Sequence, residues 1–231
     1  VAIPAASHID RPPTAPEPPL GILAAAAAAV FVAGLAISTI RAGGSPFPSP
    51  FASAADALDY FRDHAAAVRT GAVLQFASAI PLTLFVAAVT GRLRRVSEGF
   101  APALATIGGT LAAAFMFCSG VVSWVLTVPE VTGDPALVRA LHTLAFLCGG
   151  PANVVATGLF IAGIVLSVRP HRQLPPWLLT AGLVIAFIAV WTTASLTFTT
   201  AAFLLPIARF TGMAWLIAVG FLLAARKNLG E

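Results

Sequence analysis

Charge is scarce in this chain: Asp, Glu, Lys and Arg supply 10% of the 231 residues, against about a quarter in a soluble domain. With 58% hydrophobic residues and a mean hydropathy of +0.93, the chain lacks the polar surface of a water-soluble fold, and lipid must be most of its solvent. Asp, Glu and Lys are missing from every long apolar stretch, which removes the carboxylate relay of a proton pump or cation-coupled carrier. Also missing are G-x-S-x-G, H-E-x-x-H, a Walker loop and any paired-carboxylate motif, so nothing supports hydrolysis or phosphoryl transfer, and an enzyme is not expected. There are two cysteines, Cys118 and Cys148, without a C-x-x-C motif. They stand equally far from Gly133, so neighbouring antiparallel helices would carry them at similar depth, as small packing residues or as a redox pair. The net charge of +4 does not indicate nucleic acid, because the cations sit at the ends of apolar runs and not on one solvated face.

What is present is a set of six apolar runs, each near the 20 residues that a spanning helix needs to pair its own backbone in hydrocarbon. They cover about 20–40, 71–90, 102–125, 141–165, 178–198 and 205–225. The expected fold is all-α: a polytopic bundle of six transmembrane helices at residues 20–228, multi-pass in the cell membrane, preceded by a disordered proline-rich cytoplasmic tail at 1–19. The first run is longer than a signal-peptide core and lacks an adjacent basic segment, so an uncleaved span is expected there. The fifth and sixth runs are parted only by a short apolar segment, with Pro206 and Arg209 marking the turn; a continuous helix there would reverse the C-terminus. Arg92, Arg94 and Arg95, then Arg169 and Arg172, then Arg226 and Lys227 lie on one side, which places both termini in the cytoplasm.

Between the first two spans, Phe47, Pro48, Pro50 and Phe51 open an irregular segment. Ser53 with Asp56 reads as a helix entry, and Leu58, Phe61, Ala65 and Val68 recur at helical spacing, predicting a short interfacial helix over about 53–69 that rests on the bilayer or covers the outer mouth of the bundle.

The segments Asp56 to His64, Arg92 to Gly99, Arg139 to Phe146, Leu174 to Leu178 and Met213 to Arg226 together resemble a bacterial family of six-helix integral membrane proteins, domain of unknown function number 4386. The likeness covers about residues 20–228. It implies a six-helix fold and a cell-membrane location, and brings no activity or site residues.

The residues that can carry chemistry are few. Arg69, Arg139 and Arg209 stand 70 residues apart, each near the outer entry of an even-numbered span. The first two share A-x-V-R-x4-L-x-F-x4-P, through Ala66, Val68, Arg69, Leu74, Phe76 and Pro81 and through Ala136, Val138, Arg139, Leu144, Phe146 and Pro151. This is either the trace of a duplicated hairpin or a product of biased composition. The three arginines either ring an outer vestibule that attracts an anionic headgroup or solute, or snorkel at the interface. Cys148, Gly149, Gly150, Pro151 and Asn153 form a polar break in the fourth span, where Pro151 predicts a kink, Asn153 can pair the freed carbonyls, and a ligand site near the midplane is the alternative; Pro81 predicts a second kink. His142 is the one histidine inside a span, a packing residue or a ligand. Thr192, Thr193, Ser195, Thr197, Thr199 and Thr200 satisfy helix carbonyls or line a polar path. The four tryptophans suit an aromatic belt.

Three classes follow. The first is a non-enzymatic protein that binds a lipid or small apolar molecule or serves another membrane protein. The second is a permease for a neutral or anionic solute, and the third a heme or redox enzyme resting on His142. The implied partners are the lipid bilayer, another membrane protein, or a small apolar or anionic ligand, with no cofactor and no nucleic acid. The candidate ligand-binding residues are Arg69, Arg139, His142, Asn153 and Arg209.

Overall fold

The protein is described from a computed structural model covering residues 18–51 and 53–227. Most of the proline-rich tail lies outside the described residues. Apolar composition and backbone pairing give helix after helix: α1 (Leu20–Arg41), α2 (Ala54–Asp63), α3 (Ala65–Val96), α4 (Phe100–Val125), α5 (Pro129–Thr132), α6 (Pro135–Leu147), α7 (Asn153–Val168), α8 (Pro176–Trp191) and α9 (Leu204–Lys227). Among the described residues six units are long and apolar enough to cross a membrane, with α6 and α7 forming one of them through a wide turn at Cys148–Ala152, so this is a multi-pass membrane protein. Ile22, Ile80, Leu84, Ile107, Phe187 and Phe221 are among the large side chains exposed around the bundle, as a lipid-facing surface requires.

The six spans close into a ring in which α1 packs on α3, α3 on α4, α4 on α7, α7 on α8, α8 on α9 and α9 back on α1. Lipid tails are as apolar as leucine, so these seams rest on close packing and internal hydrogen bonds instead of on water exclusion. The α4/α7 seam is the tightest: a Cβ on Gly108 would lie 2.5 Å from the Phe160 amide nitrogen, and one on Gly163 would lie 2.3 Å from that of Ala105. In the α8/α9 seam, Trp215 is buried and donates its indole N–H to the Leu178 carbonyl at 2.8 Å. It is thus a packing residue, whereas Trp177 and Trp191 face outward.

The start of α1 meets the end of α9, where a Cβ on Gly220 would stand 3.0 Å from the Gly21 Cα. Both ends of the membrane domain therefore share one face, taken below as the inner one. Toward the outer face, Leu205 and Ala208 of α9 pack with Val154 of α7 and Ala189 of α8.

Several boundaries differ from the sequence expectation. The helix expected over 53–69 ends at Asp63: Ser53 caps it as anticipated, accepting the Asp56 amide at 3.0 Å, but His64 leaves helical dihedrals at φ −117° and residues from Ala65 belong to α3. The helix α3 continues through Pro81 without interruption. The fifth and sixth spans are separate, because Thr192–Leu196 and Thr199–Phe203 tighten into 3-10 turns. Here the Thr192 and Thr193 hydroxyls donate to the Ala189 and Val190 carbonyls in the last turn of α8. Pro206 and Arg209 do not mark this turn; they lie inside α9, which begins at Leu204.

Candidate functional site

The turn Cys148–Ala152 is built by its residue types. Pro151 has no N–H to give, and Gly150 takes φ −90°, ψ −105°, outside the helical range. Gly149 must lack a side chain, since its Cβ would fall 2.4 Å from the Ser119 hydroxyl. Within this turn the Gly149 carbonyl accepts a hydrogen bond from the Arg209 guanidinium. The same guanidinium lies over the Phe31 ring of α1, 5.2 Å from its centroid. Arg209 thus reaches from α9 across the interior to both α1 and the α6/α7 turn.

Above this point opens a cavity of about 650 Å3, within the range of about 300–1,000 Å3 common for small-molecule pockets. Its walls are largely apolar, with Phe31 and Leu35 from α1, Phe146 from α6 and Phe210 from α9. Polar groups line it at both ends: Ser38, Thr39, Ser49, Tyr60 and His142 toward the outer side, and Gln75, Ser119 and Arg209 toward the interior. Gln75 donates to the Ser119 hydroxyl at 2.9 Å, and Ser119 donates to the Ala145 carbonyl at 2.9 Å, with Ser123 one turn further along α4. Leu35 of α1 and Phe210 of α9 line the cavity and are also 44% and 45% exposed, so the cavity reaches the surface of the bundle beside them.

The segment Pro46–Phe51 covers the outer side of this cavity. It is fastened by His142, which is 1% exposed and whose Nε2 donates to the Pro48 carbonyl at 3.2 Å, while Phe47 and Phe61 meet the imidazole edge to face at centroid distances of 5.5 and 5.2 Å. Donation from Nε2 makes Nδ1 the acceptor of the neutral ring, and Nδ1 has no hydrogen-bond partner. The helix α2 braces the cover: Tyr60 donates to the Ser45 carbonyl at 3.4 Å, and Arg62 to the Thr132 carbonyl at 2.9 Å. Burial raises the Tyr60 phenol above its ordinary pKa, so it stays a donor across physiological pH. Replacing His142 with alanine removes the bond to Pro48. Amide exchange at Phe47, Ser49 and Phe51 should then speed up about 5- to 10-fold, read by hydrogen–deuterium exchange mass spectrometry.

Of the five residues singled out in the sequence, His142 and Arg209 line this cavity. Asn153 lines a second, smaller chamber of about 50 Å3 on the inner side, which shares Phe31 and Arg209 with the cavity. It does not pair the carbonyls of its own turn; its amide donates across the seam to the Ala112 carbonyl of α4 at 2.8 Å. Arg69 bonds Thr127 through Oγ1 at 3.1 Å and through the carbonyl at 3.3 Å and covers Trp124, away from the cavity wall. Arg139, three residues before His142 on α6, is not among the lining residues either. The three arginines recur near the start of α3, α6 and α9, yet their side chains do not form one ring.

Gln75, Ser119 and Ser123 went unnoticed in the sequence. The one available signal was that Gln75 is a lone amide in an apolar run, and such a side chain needs a partner inside the bundle. Cys118 and Cys148 do meet, with sulfurs 3.6 Å apart and both thiols free. Among the described residues no three His, Cys, Asp or Glu side chains gather in a way that could hold a metal ion. Comparison with protein-family models, curated proteins and solved structures gives no match.

Proposed function

We propose that this membrane protein binds an amphiphile from the surrounding bilayer in the outer cavity. The carrying observation is a largely apolar pocket with Gln75, Ser119 and Arg209 at its interior end and two exposed apolar side chains, Leu35 of α1 and Phe210 of α9, in its wall, which we read as a lateral opening to lipid. A ligand held there keeps its chain against apolar side chains and brings its polar end toward Gln75, Ser119 and Arg209, the division of labour usual in small-molecule sites. The cover fastened by His142 favours entry from the side over entry from the aqueous face. Passage of a solute through the bundle finds less support, since the inner chamber of about 50 Å3 has room for little more than water and lies behind Phe31 and Arg209. In the same proposal, the chain belongs to the six-helix bacterial family that it resembles.

The test is saturable binding. Purified full-length chain in lipid nanodiscs, titrated with tritiated oleyl alcohol, should fill one site per chain above the uptake of empty discs. Uptake that rises linearly and matches empty discs would sink the proposal.

A further inference from the structure

Arg209 is the charged group of this cavity, and its surroundings leave it poorly neutralised. A guanidinium carries five N–H donors and does not lose its charge in proteins. One hydrogen bond from it goes to the Gly149 carbonyl and one ring, that of Phe31, lies beneath it. Neither supplies a negative charge. The sequence has no Asp or Glu between Asp134 and Glu231, and none in α1, in α4 or in the part of α3 that lines the cavity. The acidic residues of the outer side, Asp56, Asp59, Asp63, Glu130 and Asp134, lie in α2, α5 and the adjoining turns, and none lines the cavity.

A fixed cation inside a membrane protein is costly, and it commonly marks a ligand or ion position. Here the cation lies at the deep end of an apolar cavity open to lipid, with the amide of Gln75 and the hydroxyls of Ser119 and Ser123 lining the same space. Resting on the amphiphile reading above, we infer that the ligand's head carries one net negative charge, a carboxylate or a phosphodiester with no compensating cation of its own, and that Arg209 is the residue that receives it. The planar fork of the guanidinium suits two oxygens of such a head side by side. A single cation with no second Arg or Lys among the lining residues matches a monoanion, whereas a phosphate monoester would bring about two charges.

The experiment uses tritiated oleate on the full-length chain in phosphatidylcholine nanodiscs at about pH 8.5, where the carboxyl is ionised. Competitors are oleyl alcohol, phosphatidylglycerol and inorganic phosphate. Oleate should bind at least about 10-fold more tightly than oleyl alcohol, and Arg209→Gln should weaken oleate by about 10- to 100-fold while changing oleyl alcohol less than about threefold. Arg209→Lys should recover part of the loss, because it restores the charge without the fork. Competition by phosphatidylglycerol with oleate retained identifies the phosphodiester as an equally acceptable head; no such competition restricts the site to carboxylates. Displacement by inorganic phosphate at millimolar concentration would make this a site for free anions and overturn the amphiphilic assignment. Equal affinities for oleate and oleyl alcohol in the wild-type chain would overturn the anionic head while leaving the amphiphile reading standing. No saturable binding of either would remove both. Retained oleyl alcohol binding shows that the Arg209→Gln chain is folded; if that variant does not purify, the wild-type ratio of oleate to oleyl alcohol decides alone.

Discussion

Gly163→Val will collapse the thermal stability of the purified protein more than any change in the cavity. A side chain at this position begins 2.3 Å from the Ala105 amide nitrogen and 2.6 Å from the Ala105 Cα, and both are backbone atoms that cannot turn aside. The seam must open along its length, because Gly108 brings α4 against the α7 backbone at Phe160 almost as closely, at 2.5 Å. Overpacking typically costs about 1–3 kcal/mol, and a backbone collision in a two-helix seam belongs at or above the upper end. The loss is greater because α7 is central: it packs on α4, α8 and α9 and carries the buried side chains Phe160, Ile161, Ile164 and Val165. Melting followed by size-exclusion fluorescence should show a fall of several degrees or no folded peak. Gly91→Ala, where an added Cβ meets nothing within 4 Å, should melt with the wild type. Equal melting of Gly163→Val and wild type would mean that the α4/α7 contact is not the one described.

The helix count was readable because backbone amides in hydrocarbon have no partner but their own segment, so apolar length alone marks a span. Where a span begins or ends is decided by other forces. Residues 65–70 of α3 are less apolar than the run that follows, yet the helix includes them because the chain breaks at His64 and then restarts. The break after Thr199 is nearly as apolar as its flanks, and the hydroxyl-rich stretch before it, whose Thr192 and Thr193 bond the last carbonyls of α8, is where the chain turns. The sixth run, at 205–225, begins one residue from the observed start of α9 at Leu204, yet in the sequence Arg209 reads as marking the outer turn, whereas its side chain runs inward to Gly149 and Phe31. The arginine spacing was visible, and it does correspond to a similar place near the start of three helices. Direction was not visible. Arg69 turns to Thr127 and Trp124 while Arg209 turns to Gly149 and Phe31, and those neighbours come from other spans. The link between Gln75 and Ser119 is of the same kind: 44 residues separate them, and no periodicity connects them.

Leu35→Trp should slow amphiphile binding at least about 10-fold without lowering the melting temperature. Leu35 is on α1, lines the cavity and is 44% exposed, so a larger ring there occupies the opening that α1 shares with Phe210 of α9. Its outer side faces lipid, where indole is tolerated, and no packed seam has to widen. Val32→Trp is the matched control: it lies on the same helix, is 46% exposed and is not among the lining residues. Stopped-flow mixing of nanodiscs with a fluorescent fatty-acid analogue, monitored by its change in emission, separates the two variants. If both slow association equally, the effect comes from the tryptophan in the bilayer and the lateral opening is not the way in. If neither slows it while His142→Ala accelerates it, entry runs under the Pro46–Phe51 cover instead. An obstructed opening has one more consequence, because a ligand that binds only the folded protein stabilises it by about 2.7 kcal/mol at 100 times its Kd. Over an incubation shorter than its slowed association, Leu35→Trp should lose that gain, while Val32→Trp keeps it.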